Sequence, residues 1–213
     1  VVVSDEEMRL LSEEDATLEI VTIPNIHTVS ELTPGFGERN GLLFIGGFDH
    51  QPNKDAMIYF CSEILPQIVR ILDGIKITIV GSNMPYEISM LQSEYVRPLG
   101  HVEDLEPVLD EARIFVAPLR YGAGMKGKVG LSMSHGLPVV GTSIAAEGFG
   151  FGDGKEMLIT DSPSQFAEYT INLYRNEILW NELSKHGKNF IKNHYSPSIT
   201  KNRIARLFDA DTY

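Results

Sequence analysis

The sequence is short of cysteine, of basic residues and of long apolar runs, and each shortage excludes something. The single cysteine, Cys61, cannot close an internal disulfide, so the chain is not a disulfide-stapled scaffold and suits a reducing compartment. The longest apolar stretches, 42–48 and 75–81, are strand-length, far below the about 20 residues a membrane helix needs. Lysine and arginine number 18 against 29 acidic residues, a net charge of −11. A field of that sign opposes a polyanion over a broad surface and argues against nucleic acid as the main partner, yet it leaves room for a small phosphate ligand at a local site. His27, His101, His186 and His194 are too scattered to read as a metal site. The chain opens Val-Val-Val, with neither Met nor a signal-peptide pattern, and reads as a segment of a longer protein; a cytoplasmic setting is expected, with the membrane surface the alternative for that protein.

What is present is enough apolar surface for a core: 43% of 213 residues, one large domain or two small ones. Residues 1–3 read as the end of a strand. Ser4-Asp5-Glu6-Glu7 has capping-box spacing, which predicts a short acidic helix to Leu11, followed by a polar linker over 12–16. A strand is expected over 18–23, ending at Pro24-Asn25, and a loop over 27–40. Strand and helix then alternate. Strands are expected over 42–47, 75–80, 95–99, 113–118, 138–142 and 157–160. Helices are expected over 53–72 (kinked or split by Pro66), 85–92, 104–112, 127–135, 163–176, 177–192 and 198–208. Most of the strands are nearly continuous apolar runs, which suits a parallel sheet covered on both faces. The expected fold is a doubly wound, Rossmann-like α/β sheet, whose ligands bind beyond the carboxyl ends of the strands.

At one such end lies Pro118-Leu119-Arg120-Tyr121-Gly122-Ala123-Gly124-Met125-Lys126-Gly127-Lys128-Val129, between a buried strand and a helix start. Glycines let the backbone approach a ligand, helix N-terminal N–H groups point at an anion, and Lys126 and Lys128 add two positive charges. A diphosphate is the natural ligand for such a nest; the alternative is a glycine-rich turn with two solvated lysines. Two other patterns also fit. Gly122-x-Gly124-x-x-Gly127 matches a dinucleotide fingerprint with Glu147 about twenty residues on, though not at the first strand-helix unit. Gly122-x4-Gly127-Lys128 is a phosphate loop in which Val129 replaces the hydroxyl that would hold Mg²⁺. The Asp-x-Asp spacing that might hold a metal occurs at Asp209-Ala210-Asp211, past the last predicted helix, so no metal or other cofactor is expected.

The series of motifs resembles the group 1 (family 4) retaining glycosyltransferases. It comprises Leu43-Phe44-Ile45-Gly46-Gly47-Phe48-Asp49-His50, then Ile77-Thr78-Ile79-Val80-Gly81, then Leu99-Gly100-His101-Val102. The glycine–lysine loop, Met133-Ser134-His135-Gly136-Leu137-Pro138-Val139-Val140-Gly141-Thr142 and Ala146-Glu147-Gly148 complete it. That family has two Rossmann-like domains (the GT-B arrangement), an amino-terminal one for the acceptor and a carboxyl-terminal one for the nucleotide-sugar donor. The resemblance implies that residues 17–195 are a single donor-binding domain, that 1–16 are the end of the acceptor domain and its linker, and that 196–213 hold the final helix. It implies hexosyl transfer in polysaccharide biosynthesis, from a UDP- or GDP-type sugar to an acceptor sugar or lipid-linked glycan held by the domain outside this chain, the fragment alone being inactive. It places Gly47 against the donor phosphates, and His101 and Val102 at the nucleobase. Tyr121, Gly122, Ala123, Gly124, Met125 and Val129 fall in the loop facing sugar and phosphates. Lys126 and Lys128 stand as the neutralising cations; Asp49 and His50, in the first loop, are candidate contacts to donor or acceptor, and Glu147 is either a donor contact or a solvated, loop-capping residue. No catalytic residue is assigned.

The sequence also departs from that pattern. Many members have a pair of glutamates at the positions of Ala123 and Leu131, the second holding the ribose, and an arginine and a lysine at the positions of Gly47 and Pro52. The departures leave a nucleotide-binding module with lost catalysis as one alternative; the glycine fingerprint leaves an NAD-dependent oxidoreductase domain as another. Elsewhere, Asp49 is a candidate cap for the following helix, and His135 reads as a packing or helix-end residue. Gly130, Ser132, Ser134 and Gly136 suggest a slim helix packed on the sheet. Phe149 and Phe151 either cover the donor or seal the core edge. Cys61 and Trp180 read as core.

Overall fold

A computed structural model describes residues 1–3 and 5–209. Ser4 of the expected capping box, and Ala210 and Asp211 of the Asp-x-Asp spacing, lie outside them.

The short apolar runs become strands: β1 (Leu42–Ile45), β2 (Ile77–Val80), β3 (Val96–Gly100), β4 (Ile114–Ala117), β5 (Val139–Gly141) and β6 (Leu158–Ile159). Among the described residues they form one all-parallel sheet in the order β3-β2-β1-β4-β5-β6. The register sets Leu42 beside Ile77 on one side and beside Ile114 on the other. Every residue of β1, β2 and β4 is buried, as a strand covered on both faces requires. Strand β3 lies at the edge, so only Val96 is buried and Pro98 is tolerated, its missing donor costing no inner ladder bond.

The helices are α1 (Asp5–Glu14), α2 (Gln51–Tyr59), α3 (Leu65–Val69), α4 (Tyr86–Ser89), α5 (Glu106–Glu111), α6 (Gly127–Ser134), α7 (Ser143–Ala146), α8 (Pro163–Arg175), α9 (Glu177–His194) and α10 (Pro197–Asp209). Helix α3 packs on α8, and α6 on α9. Because β1 leads to β2 in one direction and β4 to β5 in the other, right-handed crossovers place these groups on opposite faces. Side-chain caps set several starts: Thr142 for α7, Ser162 for α8 and Asn176 for α9.

Three local expectations change. Helix α1 runs through 12–14 rather than yielding to a linker, held by the Arg9–Glu13 pair and the Ser12 hydroxyl donating to the Met8 carbonyl. The strand expected over 18–23 shrinks to one bridge between Val2 and Thr22, for lack of any further partner strand among the described residues. Pro66 does not break its helix sharply; the turn before it, Phe60–Ile64, widens to a π-helix that absorbs the missing N–H. The core expectations hold for Trp180, buried with Leu173 and Leu183, while Cys61 is partly buried against the core.

Candidate functional site

The strand order reverses between β1 and β4, and a sheet of this kind leaves a crevice there. The crevice is a cleft of about 750 Å³ walled by the loop after β1, the start of α2, the loop after β4 and the first half of α6. Of the residues expected at a site, Gly47, Asp49, Tyr121, Gly122, Ala123, Met125, Lys126, Lys128 and Val129 line it. His101, Val102, Gly124 and Glu147 do not. His101 is exposed, at the carboxyl end of edge strand β3.

The loop after β1 is held from two sides. The Asn53 amide donates to the Gly47 carbonyl at 2.7 Å, and the Phe48 N–H donates to the Ser82 carbonyl at 3.0 Å. Asp49 does not cap α2; His50 occupies the cap position, and the Asp49 carboxylate accepts from the Asn83 amide at 2.6 Å. Arg120 points out of the cleft, forming a two-pronged ion pair with Asp55 over the Tyr59 ring.

The two lysines are not equivalent. Lys128 is exposed at the cleft, on the first turn of α6, with no ion-pair or hydrogen-bond partner for its ammonium among the described residues. Lys126 is turned into the loop. Its ammonium donates to the Gly122 carbonyl at 2.9 Å, to the Gly124 carbonyl, and to the Glu147 carboxylate at 2.9 Å. The expectation that both lysines face a diphosphate therefore meets a geometry in which only Lys128 has free donors. The Gly127 and Lys128 N–H groups at the start of α6 add to it, having no hydrogen-bond partner among the described residues, whereas the Val129 N–H donates to the Lys126 carbonyl at 2.8 Å.

Sequence reasoning overlooked one wall. Residues 25–30 run along α6: Asn25 lies beside Gly127, the His27 ring against Gly130, and the Ser30 N–H donates to the Ser134 carbonyl at 3.0 Å. A methyl group on Gly130 would sit 2.4 Å from His27 Nε2, so this glycine makes room for the ring and not, as expected, for the sheet. Asn25 and His27 line the cleft, as do Asn53 and Ser82. His27 is buried, its Nε2 has no hydrogen-bond partner among the described residues, and burial first and the charge of Lys128 second pull its pKa below the ordinary value. The small residues at Gly127 and Gly130 on one helix face were the one signal that another segment approaches there. Phe149 and Phe151 stack on each other, Phe149 packing edge-on against Tyr195; they lie outside this cleft and close the core edge.

Among the described residues no group of three or more His, Cys, Asp or Glu side chains gathers as a metal site, and no helix is long and apolar enough to cross a membrane.

A doubly wound parallel sheet with a glycine loop and a helix N-terminus at its switch point defines a Rossmann-like ligand-binding domain. The chain belongs to the group 1 glycosyltransferases, whose family pattern matches residues 39–176. It is 27% identical over 163 residues to the "Uncharacterized 44.6 kDa protein in cps region" of Klebsiella pneumoniae, covering 72% of this chain and 42% of that protein. Its fold matches TarM with a TM-score of 0.79 at 16% identity, over all of this chain and 43% of TarM. It matches the pneumococcal O-GlcNAc transferase GtfA, solved with UDP and GlcNAc, with a TM-score of 0.77 at 16% identity, over all of this chain and 45% of GtfA. The chain thus spans less than half the length of these proteins. The family sets aside the oxidoreductase reading, and the structure gives the reason: the glycine fingerprint follows β4, not the first strand of the sheet.

Proposed function

We propose that this chain is the donor-binding domain of a retaining glycosyltransferase, holding a nucleoside-diphosphate sugar while its hexosyl group passes to an acceptor bound outside this domain. One observation carries the reading: in a group 1 chain, the switch-point cleft is walled by the glycine loop and by the start of α6, where Lys128 stands unpaired. As the glycosidic bond breaks, negative charge grows on the departing diphosphate. Fixed N–H dipoles and a lysine in a partly enclosed cleft stabilise that charge without a metal. The UDP bound in GtfA supports a nucleoside diphosphate as ligand, and the cps-region relative supports a place in polysaccharide synthesis. Ala123 and Leu131 offer no side-chain hydrogen bond to the ligand, which leaves recognition beyond the phosphates to backbone groups and to the other polar side chains that line the cleft, Asn25, His27 and Ser82 among them.

Calorimetry tests the reading. UDP or GDP is expected to bind at least about tenfold more tightly than uridine or guanosine, because the phosphates meet charge-assisted donors. A chelator is expected to leave the affinity unchanged. Equal affinity for nucleoside and diphosphate would overturn the assignment, and loss of binding on chelation would overturn the metal-free mode.

A further inference from the structure

We propose that Lys126 and Glu147 form an internal clamp that sets the shape of the glycine loop, leaving Lys128 as the lysine that meets the anionic ligand; the ligand half of this rests on the donor-domain reading above. An ammonium has three N–H donors, and at Lys126 all three are taken, two by loop carbonyls and one by Glu147. The side chain is only 13% exposed.

The loop needs such a tether. Gly122 and Gly124 both adopt positive φ, at 120° and 79°, and have no side chains to restrain them. Among the described residues no backbone–backbone hydrogen bond involves 120–125, so the Lys126 ammonium is what gathers the Gly122 and Gly124 carbonyls. Glu147 anchors that ammonium to the turn after α7. There Gly148, at φ 82°, brings the chain so close to Met125 that a methyl group on it would lie 3.3 Å from the Met125 Cα. Drawing Lys126 out towards a ligand would abandon two carbonyls and leave Glu147 unpaired beside a second negative charge. Lys128 gives up no protein partner when it meets a phosphate.

The clamp and direct contact predict opposite signs for one substitution. If Lys126 touched the phosphates, Glu147 would compete for it and repel the ligand, and Glu147→Gln would tighten binding. If the pair is a clamp, Glu147→Gln loosens the loop and weakens UDP and GDP binding about threefold to tenfold. Lys126→Met is expected to weaken it about tenfold, with the double variant within about twofold of Lys126→Met alone, because the two residues act as one unit. The salt dependence of binding should persist in Lys126→Met and flatten in Lys128→Met, since only the latter removes a ligand ion contact. In the ligand-free chain, backbone order parameters over 121–125 from NMR relaxation should fall in Lys126→Met and Glu147→Gln, stay unchanged in Lys128→Met, and return towards the parent values in Lys126→Arg. Tighter binding by Glu147→Gln, or salt dependence lost with Lys126, would overturn the clamp. If neither nucleotide binds the parent chain, the donor-domain reading fails, while the order-parameter comparison still decides the clamp: lower order over 121–125 upholds it and unchanged order removes it.

Discussion

At the amino end of the sheet a buried arginine gathers carbonyls and the structure closes over it; at the carboxyl end a lysine gathers carbonyls and a cleft stays open beside it. Arg39, 1% exposed, donates to the backbone oxygens of Pro34, Leu109, Ala112 and His135 and lies 3.8 Å from Asp110. Trp180 packs against its guanidinium and donates to the Arg113 carbonyl at 2.7 Å, while Arg113 lies over the Phe36 and Tyr174 rings. Lys126 uses the same device on a smaller scale: one partly buried cation satisfies carbonyls that have no ladder partner. The difference lies in what surrounds it. Aromatic rings and helix ends fill the space around Arg39, whereas glycines leave the Lys126 loop thin. The amino end is thereby suited to stability and the carboxyl end to a ligand.

The largest effect expected from this contrast is at Arg39. Arg39→Met orphans four carbonyls and uncovers Asp110, a loss of about 3–5 kcal/mol in chemical denaturation, because a broken buried charge network leaves unpaired groups behind. Lys126→Met should cost under about 1 kcal/mol by the same measurement, since it frees one surface loop. Equal losses would break the comparison. Next comes the cleft wall. Gly130→Ala drives a methyl group into His27 and should cost about 1–3 kcal/mol, with His27→Ala in the same chain restoring most of it. No recovery would show that Gly130 serves the sheet after all.

The smallest effect is one of pH, and it draws on both ends. Burial is the first cause that holds His27 and His135 below the ordinary imidazole pKa. Lys128 pushes His27 further down. At His135, Asp110 and Glu106 pull upward while Arg39 and Lys188 push down. The folded chain therefore keeps both rings neutral where the unfolded chain would bind protons. That stability is full above the ordinary value of about 6.5 and is lost as pH falls below it. Unfolding midpoints measured from pH 8 to 5 should fall along this slope, and His27→Gln and His135→Gln should each remove roughly half of it. A slope unmoved by both changes would place the proton uptake elsewhere.

Much of this molecule is legible without coordinates, because its signals are local. Three tetrads, Leu42–Ile45, Ile77–Val80 and Ile114–Ala117, are apolar but for Thr78 and carry no wholly polar face, so they must be inner strands of a covered sheet. Helix periods and caps follow from spacing of a few residues. The glycine loop was marked by its place between a strand and a helix. The fate of the stretch 18–23 was not legible, because a β-prone run becomes a strand only if another strand comes to pair with it.

By itself, then, the order of residues determined the alternation of strands and helices, the parallel sheet and the position of the glycine turn after β4, since each depends on side-chain period or on a glycine within a few residues. Tertiary structure alone decided that Asn25 and His27 would line a cleft with residues about a hundred positions away, that the charge of Lys126 would be spent inside its own loop, and that Lys128 would be left free. Two lysines one residue apart look alike in a sequence. Which one keeps its donors for a ligand depends on where Glu147 arrives through space, and that is set by how β5 and the turn after α7 pack against the loop.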